Sequence, residues 1–196
     1  MADINPSTEF VIHRVQTEQD FKQWIPSLAR LLLICVNDDS YSSLGFRAPL
    51  SEAKATEYWE SLLSSFVGPE ANSVLFMLSR ASGPGGNAVA TVHIASQPKE
   101  THAHKVEVRK LLVDSAERGH GLGRKLMDAV EEYAARELGK TLVLLDTSTV
   151  SPARAFYLRL GYREWGTCPD YSTNAAGVLH DTSFFYKKLA CQDPGC

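Results

Sequence analysis

Three glycines fall within five residues, at Gly119, Gly121 and Gly123, where a strand-like stretch gives way to a helix-like one. Before them, residues 104–115 read HKVEVRKLLVDS, a valine-rich run that predicts a strand. After them, residues 121–138 place apolar side chains three and four positions apart, which predicts an amphipathic helix. Glycine leaves the backbone without side chains, so the sequence predicts a strand that turns directly into a helix with a bare first turn.

A bare helix start favours the binding of an anion. The first turn of a helix has backbone N–H groups without partners, and the helix dipole adds partial positive charge there. Glycine lets a phosphate approach these groups closely. Arg118, Arg124 and Lys125 add positive charge at the same place. The stretch therefore predicts a site for a phosphorylated ligand, and a merely tight strand-to-helix turn is the alternative.

Two common phosphate-binding motifs do not fit this stretch. The Walker motif requires Gly-Lys-Ser/Thr, whereas Gly123 is followed by Arg124 and Lys125. The dinucleotide-binding motif requires the spacing GxGxxG and belongs to an N-terminal strand-helix-strand unit. Here the glycines alternate with other residues and follow the fourth predicted strand. We therefore expect neither a Walker-type nucleotide nor a dinucleotide.

Strands and helices are predicted along almost the whole chain. The predicted strands cover 9–16, 73–80, 88–96, 104–115, 141–147, 162–168 and 182–189. The predicted helices cover 17–36, 51–66, 121–138 and 151–161, with Thr17, Ser51 and Ser151 as N-caps. Pro26 predicts a kink or a break in the first helix, and a polar loop is expected between the last two strands. The order indicates one α/β domain in residues 1–196, with its core at 9–189 and a polar tail at 190–196.

Composition and charge exclude several classes of protein. The formal net charge of −3 gives no basic field that would favour nucleic acid or an anionic membrane. No apolar run reaches the ~18 residues of a membrane-spanning helix, and the N-terminus lacks the pattern of a signal peptide. Cys35, Cys168, Cys191 and Cys196 show no CxxC spacing, so no metal site is predicted. We expect a reducing compartment, and hence the cytoplasm.

Two motifs resemble those of the GCN5-related N-acetyltransferase (GNAT) family. RGHGLG at 118–123, after a strand that ends in LLV at 111–113, is similar to the family motif Arg/Gln-x-x-Gly-x-Gly/Ala. ARAFYLRLGY at 153–162 is similar to the family segment AxxLYxxxGF. Within the family, segments spread over residues 30–189 resemble those of the tabtoxin-resistance acetyltransferases.

The resemblance implies a fold, a cofactor and a reaction. It implies an α/β (α+β) fold with a mixed central sheet of six to seven strands, flanked by about four helices. GNAT enzymes transfer the acetyl group of acetyl-CoA to an amine, and the tabtoxin-resistance relatives acetylate a small β-lactam toxin. The implied acceptor is therefore a small molecule, such as an amino-acid-like toxin, an antibiotic or a metabolite, acetylated by direct attack within a ternary complex. Acetylation of a protein N-terminus or lysine, and an acyl-CoA sensor without catalysis, are the alternatives. The protein would be a monomer or a homodimer.

By resemblance, the pyrophosphate of acetyl-CoA would lie on the backbone amides of residues 118–124, the glycine loop. These residues are Arg118, Gly119, His120, Gly121, Leu122, Gly123 and Arg124. The backbone of Leu111, Leu112 and Val113 would pair with the pantetheine arm like an added strand. Many family members have an asparagine seven residues before the motif tyrosine. Val150 stands there in this chain, so that contact is absent or is made by Ser151 or by backbone groups.

The resemblance also implies catalytic residues. Tyr157, the tyrosine of the second motif, would donate a proton to the leaving thiolate. Glu107 and Asp146 are candidates for the base that deprotonates the amine, or for groups that bind it as an ammonium. A salt bridge with Arg109 or Lys110 is the alternative role for Glu107, and capping of the next turn is the alternative for Asp146.

Further residues are candidates for the acceptor pocket, because they lie in loops that build its wall in this fold or on a neighbouring strand. They are Tyr41, Phe46, Arg47, His93, Tyr171, His180 and Asp181. Among them, Arg47 would pair with a carboxylate of the substrate, or would simply lie on the surface. The loop before the second helix and the loop at 169–181 are expected to enclose the pocket, which favours a small acceptor.

Overall fold

Seven strands form one sheet in the computed structural model of the protein, which describes residues 10–38, 45–80 and 87–190. The strands are β1 (Phe10–Arg14), β2 (Ser73–Arg80), β3 (Ala88–Ser96), β4 (Lys105–Val113), β5 (Leu142–Ser148), β6 (Arg163–Thr173) and β7 (Leu179–Lys188). The helices are α1 (Glu18–Asn37), α2 (Glu52–Ser61), α3 (Leu63–Phe66), α4 (Leu122–Arg136) and α5 (Pro152–Arg159). No helix in these ranges is long and apolar enough to cross a membrane.

The sheet is mixed and has the strand order β1-β2-β3-β4-β5-β7-β6. Neighbouring strands are antiparallel except β4 and β5, which run parallel and are connected in the chain through α4. This arrangement confirms the α/β (α+β) fold class, including the mixed sheet of six to seven strands. Four longer helices flank the described sheet as expected, and α3 adds a single turn.

Apolar side chains cover both faces of the sheet. On one face, α1 and α2 bury Phe21, Leu28 and Trp59 in a cluster that includes residues of β2, β3 and β4. On the other face, α4 places Leu126 and Val130 in a second cluster with residues of the central strands and α5. Burial of one such side chain contributes about 1.5–3 kcal/mol. The two clusters therefore hold the helices in fixed positions over the sheet.

The predicted break at Pro26 is wrong, because α1 continues through it from Glu18 to Asn37. A proline inside a helix removes one N–H donor and costs about 3 kcal/mol. Side chains on both sides of Pro26, among them Phe21 and Leu28, are fully buried along the same helix. Their burial outweighs the cost of the proline.

The predicted helix at 51–66 is interrupted near its end. α2 stops at Ser61, and the amide of Leu62 donates to the carbonyl of Trp59 at 3.0 Å, an i−3 bond that tightens the turn before α3. The predicted N-caps are confirmed at all three helices. Thr17 accepts a hydrogen bond at 3.1 Å, Ser51 at 3.3 Å and Ser151 at 3.2 Å, each from a backbone amide in the first turn.

The polar loop predicted between the last two strands is instead the far end of a β6–β7 hairpin. β6 extends to Thr173, and β7 begins at Leu179. At an irregularity in the pairing, Asp170 has a φ of 50°, and its amide donates to the Asp181 carboxylate at 3.1 Å. Most side chains of β6 are exposed, so this edge strand lacks the alternation of buried and exposed positions on which the prediction relied.

β4 and β5 pair over only a short distance. Their register joins residues 105–107 to residues 142–144, yet β4 continues to Val113 and β5 to Ser148. Beyond Glu107, the edge of β4 that faces β5 has no strand partner within the described ranges. A cleft therefore opens between the carboxyl ends of these two strands.

Replacement of Leu126 tests whether apolar packing fixes α4, since this side chain is fully buried. We expect Leu126→Ala to lower the free energy of unfolding by about 2–5 kcal/mol, because burial is lost and a cavity remains. Urea denaturation measures this change. Leu158→Ala on α5 is the control, since Leu158 is 44% exposed, and it should cost less than about 1 kcal/mol. Equal losses in the two variants would contradict the packing described for α4.

Candidate active site

A cavity of about 750 Å³ occupies the cleft between β4 and β5. Its walls come from β4, the end of β5, the glycine loop with the start of α4, and α5. Tyr58 of α2 contributes to the wall from the other face of the sheet. Small-molecule sites typically measure about 300–1,000 Å³, so this cleft is the candidate active site.

The three glycines of the glycine loop meet two different requirements. φ is 86° at Gly119 and 74° at Gly121, and both values lie in the left-handed region that favours glycine. Gly123 has ordinary backbone angles, but a Cβ there would lie 3.2 Å from Cζ of Phe156 on α5. The sequence predicted a bare helix start for a ligand. The structure adds that Gly123 lets α4 and α5 pack closely together.

The amides of the glycine loop are available to a ligand. Gly121 is the N-cap of α4 and has no side chain to bond the first turn. The backbone N–H groups of residues 119–124 have no hydrogen-bond acceptor in the described part of the chain. Arg118 and Arg124 line the cavity beside them. Unpartnered amides at a helix start, with two guanidinium groups nearby, fit a phosphate-bearing group.

Two long-range ion pairs fix the segment that leads into the glycine loop. Arg80, at the end of β2, bonds the carboxylate of Glu117 through Nη2 at 2.7 and 2.8 Å and through Nε at 3.1 Å. Arg30 of α1 bonds Asp114 at 3.2 Å, and Asp114 also accepts from the amide of Ala116 at 3.0 Å. The pair with Arg80 neutralises Glu117, a carboxylate that would otherwise repel an anion in the cavity.

A β-bulge in β4 changes the direction of its side chains. Arg109 pairs with His93 of β3 and Leu112 pairs with Thr91, so one more residue lies on β4 than on β3 between these pairs. Lys110 lies within the bulge with a φ of 50°. Neighbouring side chains of a regular strand point to opposite faces. The bulge instead lets Arg109 and Lys110 both line the cavity.

Five ionisable side chains meet at the end of the cavity away from the glycine loop. Glu107 accepts a hydrogen bond from Nη2 of Arg109 at 2.8 Å. Asp146 is exposed to the cavity, and desolvation by the cavity walls, then the charge of Glu107, raise the pKa of its carboxyl. Burial lowers the pKa of Lys110 to about 8. Burial also raises the pKa of Tyr58 to about 12, so its hydroxyl stays protonated.

Tyr157 lines the cavity between its two ends. Its ring packs among those of Phe156, Tyr162 and Phe185, with centroids 5.4, 5.8 and 6.0 Å away. Burial, followed by the charge of Asp146, raises the pKa of Tyr157 far above its ordinary value. The hydroxyl is thus protonated, and within the described residues no hydrogen bond holds it.

Most residues predicted from the motifs lie together in this one cavity. Those that line it are Glu107, Leu111, Val113, Arg118, Gly119, Gly121, Leu122, Gly123, Arg124, Asp146, Ser151 and Tyr157. Leu112 does not line it, because its side chain is buried beneath α1. The ring of His120 lies outside it and contacts the carbonyl of Glu117 at 3.1 Å. For these two residues only the backbone remains a candidate for binding.

Among the acceptor residues predicted from the loops and from β3, those that the structure describes do not line the cavity. His93 is only 4% exposed, neither ring nitrogen has a hydrogen-bond partner among the described residues, and burial lowers its pKa to about 3. Tyr171 packs on Phe184, with ring centroids 5.1 Å apart. Tyr41 lies outside the described residues.

Three other predicted acceptor residues have local partners. His180 bonds the hydroxyl of Ser172 at 3.3 Å, and Asp181 supports the β6 irregularity described above. The guanidinium of Arg47 occupies the space that a Cβ at Gly177 would need. Phe46 stays next to the cavity, since its ring lies 5.2 Å from Nζ of Lys110.

The β6–β7 turn contacts the segment before α2. The amide of Ala48 donates to the carbonyl of Ala175 at 3.0 Å, and Ala175 is buried in the same cluster as α1 and α2. Asn37 fixes the end of the segment, because its side chain bonds both the amide and the carbonyl of Leu50, at 2.8 and 3.2 Å. These contacts form a clasp, residues 46–50 with 174–178, which joins the hairpin to the helical face of the protein.

Sequence reasoning missed several cavity residues. Tyr58 lies on one stripe of the predicted helix at 51–66 with Leu62 and Phe66, a pattern that does not mark a cavity residue. Arg109 and Lys110 were considered only as partners of Glu107, because nothing in the sequence marks the bulge. Arg80 gave no local signal either, since its partner Glu117 lies 37 positions away in the chain.

A family model described as "Acetyltransferase (GNAT) domain" matches residues 73–164. The matched segment runs from β2 to the beginning of β6. It includes the glycine loop and the three predicted catalytic residues Glu107, Asp146 and Tyr157.

The fold is similar to those of solved acetyltransferase structures. A candidate phosphinothricin N-acetyltransferase has a TM-score of 0.70 at 15% identity, over 93% of this chain and 99% of that one. The ribosomal-protein-S18-alanine N-acetyltransferase from Escherichia coli has a TM-score of 0.65 at 16% identity, over 96% of this chain and 99% of that one. A candidate acetyltransferase from Salmonella typhimurium, solved with its cofactor acetyl-CoA, has a TM-score of 0.67 at 17% identity, over 95% of this chain and 99% of that one. These similarities show the GNAT fold.

The two motifs lie within the segment that the GNAT-domain model matches, and the predicted GNAT fold is confirmed. GNAT acetyltransferases use acetyl-CoA, and the amides of residues 119–124 fit its phosphates. The narrower similarity to tabtoxin-resistance acetyltransferases stays a prediction.

The ion pair between Arg80 and Glu117 offers a test of the glycine loop. We expect Arg80→Met to weaken acetyl-CoA binding about fivefold, because a carboxylate in the cavity wall loses its counter-charge. Isothermal titration calorimetry measures the dissociation constant. Arg136→Met on α4 removes an exposed ion pair of 2.8 Å and is the control, with no expected change. Unchanged binding in Arg80→Met would show that this pair does not support the loop.

Proposed function

We propose that this protein, which has the GNAT fold and a GNAT-domain match over residues 73–164, is an acetyl-CoA-dependent N-acetyltransferase for small amines. The observation that carries the proposal is the single cavity between β4 and β5. It joins the amides of residues 119–124 to a carboxylate whose pKa is raised and to a protonated tyrosine. An amino-acid-like toxin, an antibiotic or a metabolite is the acceptor class that fits this cavity.

Acetyl-CoA supplies an acetyl group activated as a thioester. The amides of residues 119–124, with Arg118 and Arg124, are proposed to hold its pyrophosphate. The β5-facing edge of β4 at Leu111 and Val113 lacks a strand partner, so its backbone groups are proposed to pair with the pantetheine arm. Ser151 caps α5 through its side chain and lines the cavity, which supports a minor polar contact there.

Asp146 is proposed as the base. An amine acceptor is mostly protonated at neutral pH and must lose a proton before its nitrogen can attack. The pKa of Asp146 is raised, so its carboxylate takes up a proton more readily than an ordinary aspartate. Glu107 already accepts a hydrogen bond from Arg109 at 2.8 Å, so its carboxylate is engaged by the protein. Glu107 therefore serves better to orient Arg109 and to raise the pKa of Asp146.

Tyr157 is proposed to stabilise the leaving sulfur. As the bond between nitrogen and the acetyl carbon forms, the bond from that carbon to sulfur breaks, and negative charge develops on sulfur. The hydroxyl of Tyr157 is protonated and has no competing protein acceptor in the described chain. The pKa of Tyr157 lies above the pKa of a thiol, which is about 8.5. Tyr157 is therefore expected to stabilise the thiolate by donating a hydrogen bond rather than by losing its proton outright.

The clasp supports a small acceptor rather than a protein chain. It links residues 46–50 to residues 174–178, and Phe46 in the first segment contacts Lys110 of the cavity wall. A peptide acceptor needs an open groove that its backbone can enter and leave. The clasp restricts such a groove, whereas a small amine needs only the cavity of about 750 Å³.

Two measurements test the proposed function. Acetyl-CoA at 100 times its dissociation constant should stabilise the protein by about 2.7 kcal/mol, which raises the melting temperature. A thiol-release assay with free amino acids, polyamines, aminoglycosides and β-lactam amines should then reveal turnover. No thermal shift at millimolar acetyl-CoA would overturn the cofactor assignment. Binding without thiol release from any acceptor, small or peptide, would leave a sensor rather than an enzyme.

Tyr157→Phe tests the role of the hydroxyl. We expect kcat to fall about 100-fold, within the usual range for a positioned proton or hydrogen-bond donor, while the affinity for acetyl-CoA stays unchanged. Tyr133→Phe is the matched control, because that hydroxyl bonds Arg14 at 3.1 Å on the β1 side of α4. Wild-type turnover in Tyr157→Phe would remove the residue from the proposed mechanism.

The pH profile tests the choice of base. Because the pKa of Asp146 is raised, kcat/KM should fall with decreasing pH through a limb at higher pH than an ordinary aspartate would give, as the carboxylate becomes protonated. Glu107→Gln should move this limb to lower pH, since the charge of Glu107 contributes to the raised pKa. Asp146→Asn should lose the limb and most of the activity. If Glu107→Gln instead loses the limb and most of the activity, while Asp146→Asn only moves the limb, then Glu107 is the base.

A further inference from the structure

The acceptor end of the cavity contains two adjacent cations that the proposed reaction does not use. Arg109 and Lys110 both line it, because the bulge in β4 turns two consecutive side chains to the same cavity. Acetyl transfer to an amine needs a base and a group that stabilises the sulfur. It needs no cation near the amine, where positive charge opposes the approach of an ammonium group.

The structure holds Lys110 in a fixed position. Its Nζ lies 5.2 Å from the ring centroid of Phe46 and 5.4 Å from that of Tyr58, within the range of cation–π contact. The two rings meet edge to face, with centroids 5.0 Å apart. Lys110 is thus placed on an aromatic platform, and its burial lowers the pKa to about 8. A buried ammonium gains from an anion that enters the cavity beside it.

Arg109 has hydrogen-bond donors left for a ligand. A guanidinium carries five N–H donors, and in the described chain Arg109 bonds protein only through Nη2, to Glu107 at 2.8 Å. Its side chain is 48% exposed and lines the cavity. The bond to Glu107 fixes the direction of the guanidinium, so the remaining donors are preorganised for a carboxylate.

We propose that Arg109 and Lys110 form a carboxylate subsite, so that the acceptor is an amino acid or a close analogue that carries both an amine and a carboxylate. This inference rests on the proposed function. The amine would lie toward Asp146 and the carboxylate toward Lys110, each beside a group of opposite charge. Arg47, the arginine expected from the sequence to bind a carboxylate, packs at Gly177 and does not line the cavity.

The test compares each free amino acid with its primary amide, which keeps the shape but loses the charge. Thiol release with the purified protein and acetyl-CoA would give kcat/KM for both members of each pair. We expect the wild type to prefer the amino acid at least about tenfold, as for a charge-assisted hydrogen bond. Lys110→Met should lower kcat/KM for the amino acid about tenfold and leave that for the amide within about threefold. Lys110→Arg should keep the preference.

Lys105→Met, on the same strand but outside the cavity, is the matched control and should keep wild-type selectivity. A thermal shift with acetyl-CoA verifies that each variant is folded. If Lys110→Met does not fold, Arg109→Met must show the loss of preference instead. Equal losses for amino acids and amides would mean that Lys110 only positions Asp146, and would overturn the subsite.

Two further outcomes separate this inference from the proposed function. Turnover of polyamines or aminoglycosides alone, with no amino acid accepted, would overturn the carboxylate subsite while the N-acetyltransferase assignment stands. Absence of acetyl-CoA binding in the wild type would overturn both.

Discussion

Backbone pairing between β4 and β5 ends at Glu107 and Leu144, and the proposed chemistry depends on the gap that follows. Paired strands lie about 4.8 Å apart, which leaves no room for a ligand between them. Once the strands separate, one edge of β4 keeps its backbone groups available, and side chains from both strands reach the same space. Buried helices on the two faces of the sheet hold the strands apart, so the gap belongs to the folded state.

The cavity in this gap is divided by charge. At one end, the glycine loop offers backbone N–H groups and two guanidinium groups, which suits phosphates. At the other end, Glu107 and Asp146 stand near Arg109 and Lys110, which suits a molecule with both signs of charge. Tyr157 lies between the ends and is neutral, because its surroundings exclude the ionised form. Each end therefore selects its ligand by a different physical rule.

Local sequence signals predicted much of this arrangement. The alternation of β4, the helical spacing of α4 and the glycines between them are visible within 35 residues, so the glycine loop was placed correctly. Tyr157 and Asp146 followed from a family motif and from the end of an apolar strand. The bulge at Lys110, the pair between Arg80 and Glu117, and the burial of His93 had no such signal. Each depends on register or packing between segments that are distant in the chain.

The clasp between residues 46–50 and 174–178 has a consequence for how the protein can change over evolutionary time. Neither of its segments belongs to the glycine loop or to the paired part of β4 and β5. Mutations at the hairpin turn can therefore shift Phe46, which contacts Lys110 in the cavity wall, while the donor machinery stays intact. A gene duplicate of this chain could diverge in substrate through a few such mutations, with little loss of its capacity to use the same acetyl donor.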